Sequence, residues 1–313
     1  MAPTWKGKRV LVTGGTGFIG SVMVEQLLEQ GADVRVPIRA ANYRALSRLR
    51  AHIEWVEGDL RSASYCSELL TGIDHVFHLA SHRRNIEFHH DHCGDVLVGN
   101  VEMTAAMVRA VKDHKNVGVT FFSSANIPPA IDIIALAQSA DMDGYVLGKA
   151  ICETLWLVAS RQYGFPLLIV RPVGVYGPRD TFSADSNVIP SLMLKARDND
   201  VLDVWGSGKQ ERAFLYVGDL VRATFRLLEK KVQGIQYVVP PDISTIKELA
   251  THIRTIVKPR IKIRYDESKP EGKRLIPRLP NHASLRGFKW TPLKKGLQAT
   301  YNGWLRRQEQ TKG

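Results

Sequence analysis

The chain has 313 residues, 44% of them apolar and 24% charged, a balance that supports one large core or two coupled ones. No apolar run is long enough to span a bilayer, and "MAPTWKGKRV" lacks the apolar stretch of a secretory signal, so a cytoplasmic protein is expected. The net charge of +12 sits wholly in the last quarter, where residues 231–313 hold 18 Lys/Arg against 6 Asp/Glu, while residues 1–230 carry 25 of each.

"RVLVTGGTGFIGSVMVEQLLEQGADVRVPIR" predicts a strand, a glycine turn, an amphipathic helix closed by Gly31, and a second strand. Gly14, Gly17 and Gly20 recur every three residues across the turn. Glycine there permits a tight turn, close approach of the backbone to a pyrophosphate, and close helix–strand packing, while the helix N-terminus attracts the phosphates. The expected dinucleotide contacts of this turn are Gly14, Thr16, Gly17, Phe18 and Ile19. The second strand runs into "PIRAANYR". An acid at its end would bond a ribose 2′-hydroxyl, whereas an arginine suits a 2′-phosphate. Arg39, with Arg44 as a helper, therefore favours NADP(H) over NAD(H), unless both are ordinary loop arginines.

The third strand, "IEWVEGDL", ends at Asp59 and Leu60, where the adenine edge would lie. The fourth, "HVFHLAS", ends at Leu79, Ala80 and Ser81, beneath the cofactor's central phosphates and ribose. In the next stretch, "HRRNIEFHHDHC", the side chains of His89, His90, His92 and Cys93 crowd together. Adjacent histidines rarely converge on one ion and no second ligand cluster completes a tetrahedral set, so no metal is expected. His82, Arg83 and Arg84 could touch substrate. Helices are predicted at 64–70, 97–114 and 146–163. The fifth strand, "VGVTFFSS", opens into "ANIPPAID", which carries no acid, thiol or imidazole before Asp132. In "DGYVLGKAICETLW", Tyr145 and Lys149 are four apart and share a helix face. An ammonium beside a phenol makes it a usable proton donor or acceptor near neutral pH, and a strand-end serine can bond the same substrate oxygen. "PLLIVRPVGVYG" supplies a sixth strand, ending at Pro172.

Strands alternating with helices imply α/β architecture: a doubly wound parallel sheet covered on both faces. After Arg171, prolines, glycines and short segments take over, with helices expected near 188–197, 219–230, 245–257 and 293–307. The expected organisation is a dinucleotide-binding Rossmann domain over 1–171 and a smaller C-terminal substrate lobe, mainly 172–313, with 212–230 returning to the first. The basic last quarter either faces solvent or helps hold a nucleotide diphosphate. It contains no groove-binding motif or aromatic stacking series, so nucleic acid is not an expected partner. Three cysteines, Cys66, Cys93 and Cys152, without paired spacing argue against a disulfide framework.

Together "TGGTGFIG", the serine pair and "YVLGK" resemble the extended short-chain dehydrogenase/reductases (the NAD-dependent epimerase/dehydratase family) that act on nucleotide sugars. "RPVGVYGPRDTF", "SNVIPSL", "VWGSGKQERAFLYVGDL", "TIKELATHI", "YDESKPEGKRL" and "GFKWTP" extend the likeness nearly to the end, and the combination is most similar to the GDP-L-fucose synthases, which are NADPH-dependent epimerase/reductases. The resemblance implies a catalytic set of Ser124, Tyr145 and Lys149, with further cofactor contacts at Asn100 and Pro172. It also implies nucleotide-sugar contacts at Val188, Trp205, Lys273 and Arg212, the last gripping the diphosphate as a forked guanidinium can.

In the fucose synthases a cysteine two residues after the serine and a histidine before "VIP" exchange protons at sugar carbons 3 and 5. Here those positions are Asn126 and Asn187, expected to touch the sugar but unable to accept and return a proton. The acids of related dehydratases and decarboxylases are also missing, since Ala125 and Asn126 follow the serine. What survives is reduction of a 4-keto sugar nucleotide, GDP-linked by the resemblance, by NADPH and without epimerisation. Two alternatives stay open: a C4-epimerase holding NAD, and a non-catalytic NADP-sensing protein. Apolar faces on helices 97–114 and 146–163 either pack in the core or pair in a homodimer, as they do in the family.

Overall fold

The computed structural model describes residues 5–40, 43–82, 86–128, 132–139, 143–183, 186–269 and 279–312. The predicted apolar runs become strands with buried flanks. They are β1 (Arg9–Thr13), β2 (Asp33–Ile38), β3 (Ile53–Glu57), β4 (His75–His78), β5 (Gly118–Phe122) and β6 (Leu167–Pro172). Between them run α1 (Phe18–Glu29), α2 (Ala63–Leu69), α3 (Ile86–Asp91), α4 (Cys93–Val111), α5 (Ile133–Ala137) and α6 (Gly144–Tyr163). Local chemistry sets several ends: the Ser62 hydroxyl accepts the Tyr65 N–H at the start of α2, Asp143 caps α6, and Gly164 closes α6 at φ 80°.

Downstream come β7 (Gly174–Tyr176), α7 (Val188–Asp198), β8 (Val201–Trp205), β9 (Glu211–Tyr216) and α8 (Val217–Glu229). The remaining elements are β10 (Gly234–Val238), β11 (Ile243–Thr245), α9 (Ile246–Val257), β12 (Lys262–Asp266) and α10 (Leu293–Lys312). A reciprocal capping box between Thr245 and Glu248 starts α9.

The chain divides into two units, Met1–Arg171 with Thr224–Gln236, and Pro172–Ala223 with Tyr237–Gly313. Residues 212–223, which the sequence pattern placed in the returning segment, group with the second unit. The first unit holds the seven-stranded sheet, order β10-β6-β5-β4-β1-β2-β3, with β1 to β6 paired in parallel. This is the doubly wound arrangement expected from the alternating pattern. Leu11, Val76, Phe121 and Ile169 from the strands pack with Met107 of α4 and Trp156 of α6 in a continuous core. The second unit carries a three-stranded sheet, β11-β9-β7, and a parallel pair, β12-β8. Its core gathers Met193, Leu202, Leu249, Ile253 and Leu297.

His78, the last residue of β4, is 1% exposed; its Nδ1 lies 3.0 Å from Thr13 Oγ1, and its ring stacks on Phe121. Burial, reinforced by the nearby Lys149 charge, pulls its pKa from an ordinary 6.5 down to about 3. The unfolded chain therefore binds a proton at His78 that the folded chain refuses between these values. Stability is expected to fall as pH drops below about 6.5, by up to about 1.4 kcal/mol per pH unit from this group alone. Urea unfolding of the wild type and His78→Asn should show the shallower pH slope in the variant; equal slopes would refute the assignment.

Candidate active site

The order of the sheet reverses between β1 and β4, the switch point at which α/β sheets hold ligands beyond the carboxyl ends of their strands. Gly14 leaves β1 with φ +68°, and a Cβ there would stand 2.8 Å from the Ala80 nitrogen, so only glycine lets the two strand ends approach this closely. A Cβ on Gly20 would overlap the Gly14 carbonyl, which fixes α1 tightly against the turn. α1 begins with Gly17 at its N-cap, without a side-chain cap and without an acid in its first turn. Its positive end is thus available to an anion, flanked by the partly exposed Thr16, Phe18 and Ile19.

The β4 end is pinned from below. Thr13 Oγ1 accepts the Ala80 N–H at 3.2 Å, and Asn100 Oδ1 accepts Ser81 Oγ at 2.8 Å and the His82 N–H at 2.9 Å. Asn100 Nδ2 in turn donates to the Val96 carbonyl at 2.7 Å. Leu79, Ala80 and Ser81 are half-buried beside this cradle. Pro172 is buried at the end of β6.

Arg39 follows β2 and is exposed, while the side chain of Arg44 lies outside the described residues. Asp59 lies beyond β3 in a forked pair with Arg61, Nε 2.9 Å from Oδ2 and Nη2 2.5 Å from it. Arg61, and more weakly Arg39, hold the Asp59 carboxyl below its ordinary range. The two arginines and one carboxylate leave this end of the cradle net positive. An open groove of ≈ 560 Å³ adjoins it, lined by Asp59, Arg61, Ser62, Val101, Glu102 and Arg109. Leu60 turns the other way, 8% exposed in the sheet core, so its side chain is a packing element. The sequence pattern passed over Arg61, because a pairing two residues apart in a loop has no periodic signature.

Tyr145 and Lys149 occupy successive turns at the start of α6, whose first N–H groups are held by Asp143: Oδ1 accepts from Tyr145 N at 2.8 Å and Val146 N at 3.3 Å. Lys149 is 3% exposed. Its Nζ donates to the Phe122 carbonyl at 2.7 Å and stands 5.7 Å from the centre of the Tyr145 ring. The ammonium thus bridges the phenol and the end of β5, two residues before Ser124. Ser124 is half-buried, its Oγ accepting the Asn126 N–H at 3.1 Å, and Asn126 is exposed. Ile127 packs with Val146 and Ala150, against which Tyr145 rests, so the segment after the serines is seated on the helix that carries the phenol. The structure therefore brings Ser124, Tyr145 and Lys149 into one neighbourhood.

Ser123 differs from its neighbour: it is 5% exposed and its Oγ has no hydrogen-bond partner among the described residues. A buried hydroxyl without a partner costs desolvation and returns nothing. Ser123→Ala is expected to leave the melting temperature unchanged or raised, whereas loss of several degrees would reveal a bond that the geometry does not show.

The remaining predicted contacts lie in the second unit. Asn187 stands at the N-cap position of α7 without a side-chain cap bond, and Val188, 39% exposed, begins the helix. Trp205 ends β8 at 52% exposure, with Lys195 Nζ 5.2 Å and Lys269 Nζ 5.9 Å from its ring. Arg212 lies on β9, donating Nη1 to the Glu211 carbonyl at 3.0 Å, and burial pulls its pKa down. Lys273, Arg83 and Arg84 lie outside the described residues. The histidine-rich segment carries the short helix α3 at Ile86–Asp91, and His92 then stands at the N-cap of α4. Among the described residues no three His, Cys, Asp or Glu side chains gather as a metal site.

Residues 10–239 match the NAD dependent epimerase/dehydratase family. A dTDP-4-dehydro-6-deoxy-D-allose reductase of a Streptomyces species is 34% identical over 97% of this chain and 98% of its own length. The GDP-L-fucose synthase of Escherichia coli K12 is 27% identical over 98% of this chain and 99% of its own length. Among solved structures, the UDP-N-acetylglucosamine 4-epimerase of Methanobrevibacter ruminantium superposes with a TM-score of 0.82 at 24% identity, covering 97% of this chain and 99% of its own.

Proposed function

The chain belongs to the NAD dependent epimerase/dehydratase family, and from that premise we propose that it reduces the 4-keto group of a nucleotide-linked 4-keto-6-deoxy sugar with NADPH, without proton exchange at carbons 3 and 5. The supporting observation is the chemistry beside Tyr145. Among the described residues, the β5 end offers hydroxyls and the exposed amide of Asn126, and Asp132, the first carboxylate after the serines, is spent capping α5 through the Ile134 and Ala135 N–H groups at 2.9 and 3.0 Å. A strand end so furnished can orient a carbonyl and support protonation of its oxygen, and an amide at Asn126 cannot take a proton from carbon.

Gly14, Thr16, Gly17, Phe18 and Ile19 would hold the dinucleotide, with Asp59, the backbone of Leu60, Leu79, Ala80, Ser81, Asn100 and Pro172 along its length and Arg39 at a 2′-phosphate. Bound there, the reduced nicotinamide supplies a hydride. Ser124 would bond the carbonyl oxygen, and Tyr145 would deliver a proton to it as it gains charge. Lys149, already anchored on Phe122, would supply the positive charge that keeps the phenol ready to part with that proton. Asn126, Asn187, Val188, Trp205, Arg212 and Lys273 are the proposed nucleotide-sugar contacts.

The nucleotide separates two readings. The reductases at 34% and 33% identity carry dTDP in their names, and the synthase at 27% carries GDP. We favour a dTDP-linked substrate, with the GDP-linked one expected from sequence as the second reading. A thermal-shift comparison of dTDP, GDP, UDP and CDP tests this: stabilisation by GDP alone would reverse the order. Turnover in heavy water tests the chemistry, since the product should carry no deuterium at carbons 3 and 5, and its appearance there would refute the proposal. The reading includes a cytoplasmic homodimer, supported by the exposed Val98 of α4 (53%) and Val158 of α6 (60%). No helix among the described residues is long and apolar enough to cross a membrane.

A further inference from the structure

The histidine-rich segment after β4 has no part in the proposed chemistry, yet one of its side chains reaches the phenol. His89, on α3, is 3% exposed. Its imidazole lies flat against the Tyr145 ring, centres 5.2 Å apart and planes 15° apart. Its Nδ1 stands 3.6 Å from Asp143 Oδ1, the same oxygen that accepts the Tyr145 N–H at 2.8 Å. One carboxylate thus caps the start of α6 and lies beside the ring that covers its first aromatic residue. The approach is enforced nearby, where a Cβ on Gly144 would run into the backbone of Cys93. Lys149 Nζ stands 5.7 Å from the same phenol ring.

A tyrosine near a helix start can adopt more than one χ1 rotamer, and its hydroxyl swings by several ångströms between them. Holding one rotamer matters because proton delivery depends on the hydroxyl standing within hydrogen-bond reach of the substrate oxygen. Offset, nearly parallel rings are a favoured aromatic arrangement, and burial leaves the imidazole little room to leave it. We propose that His89 is a positioning residue for Tyr145: buried and stacked on the phenol, it holds the ring in its productive rotamer. The kinetic part of this inference rests on the 4-ketoreductase reading; the geometric part does not.

Two variants test it. His89→Ala removes the ring, and His89→Phe keeps a flat one. The expected result is a fall in kcat of about ten- to a hundredfold in His89→Ala with both KM values within about twofold, and recovery to within about threefold in His89→Phe. Unchanged kcat in His89→Ala, a loss confined to KM, or His89→Phe as impaired as His89→Ala would each overturn the proposal. If alanine does not fold there, His89→Leu keeps the volume without the flat ring and must show the same loss of kcat. A second readout needs no turnover: the ¹³Cζ signal of Tyr145 in the cofactor-free protein, assigned through Tyr145→Phe. It should move or broaden in His89→Ala and stay sharp in His89→Phe; an unaltered signal in His89→Ala defeats the positioning role. Should the wild type reduce no nucleotide-linked 4-keto sugar, the functional reading fails, while this signal still decides the role of His89.

Discussion

Tyr145→Phe is expected to lower kcat by roughly 10²–10⁴-fold, the usual worth of a positioned proton donor, with little change in melting temperature or dinucleotide affinity. The reasoning is local. The ring sits over Ile127, Val146 and Ala150 and against His89, contacts that phenylalanine keeps. Only the hydroxyl is lost, and with it the proton donor proposed for the substrate carbonyl. Lys149 is a poorer probe of the same step. It is buried and donates to the Phe122 carbonyl at 2.7 Å, so its removal also strips a partner from the β5 end. Dinucleotide titration and stopped-flow turnover of Tyr145→Phe separate the cases. Retention of more than about a tenth of the wild-type kcat would mean that another group delivers the proton.

The second large effect concerns stability. Arg171 at the end of β6 grips Glu153 of α6 with Nε 2.8 Å and Nη2 2.6 Å from the two carboxylate oxygens, and the side chains are only 6% and 4% exposed. Glu153 follows Lys149 by four residues and shares its helix face. The pair therefore fastens α6 to the sheet one turn beyond Lys149. Arg171→Met would strand a carboxylate in a dry interior, at an expected cost of about 3–5 kcal/mol. Glu153→Leu combined with Arg171→Met should recover most of that loss, because two apolar side chains carry no desolvation penalty. Denaturant unfolding of the two proteins checks both statements; a single variant within about 1 kcal/mol of the wild type would show that the pair is neither desolvated nor structural.

The strands, the glycine turn and the order of elements were legible because each rests on short-range patterning: an apolar run, a helical period, a residue that alone tolerates a positive φ. Tyr145 and Lys149 were legible for the same reason, four residues apart on one helix. The less legible features depend on the tertiary fold. α4 begins at Cys93 rather than at 97, since its first turn carries Gly94 and Asp95, which read as loop in isolation. α5 is five residues long and held by the Asp132 cap, too short for any period to show. The side-chain direction of Leu60 was not readable from its place after a strand, because packing against α2 and α4 in the sheet core sets it. The pairing of Asp59 with Arg61 and the stacking of His89 on Tyr145 join side chains that no sequence periodicity brings together.

The outermost strand beside β6 is β10, drawn from residues 234–238, long after the rest of the sheet has been laid down. During synthesis, then, a nascent chain that has emerged only as far as Arg171 has every other strand of that sheet but a bare row of backbone donors and acceptors along β6. Such an edge invites pairing with another nascent chain. A shortened product ending near Arg171 should therefore precipitate or recruit chaperones, and the protein's safe release from the ribosome waits on its final third.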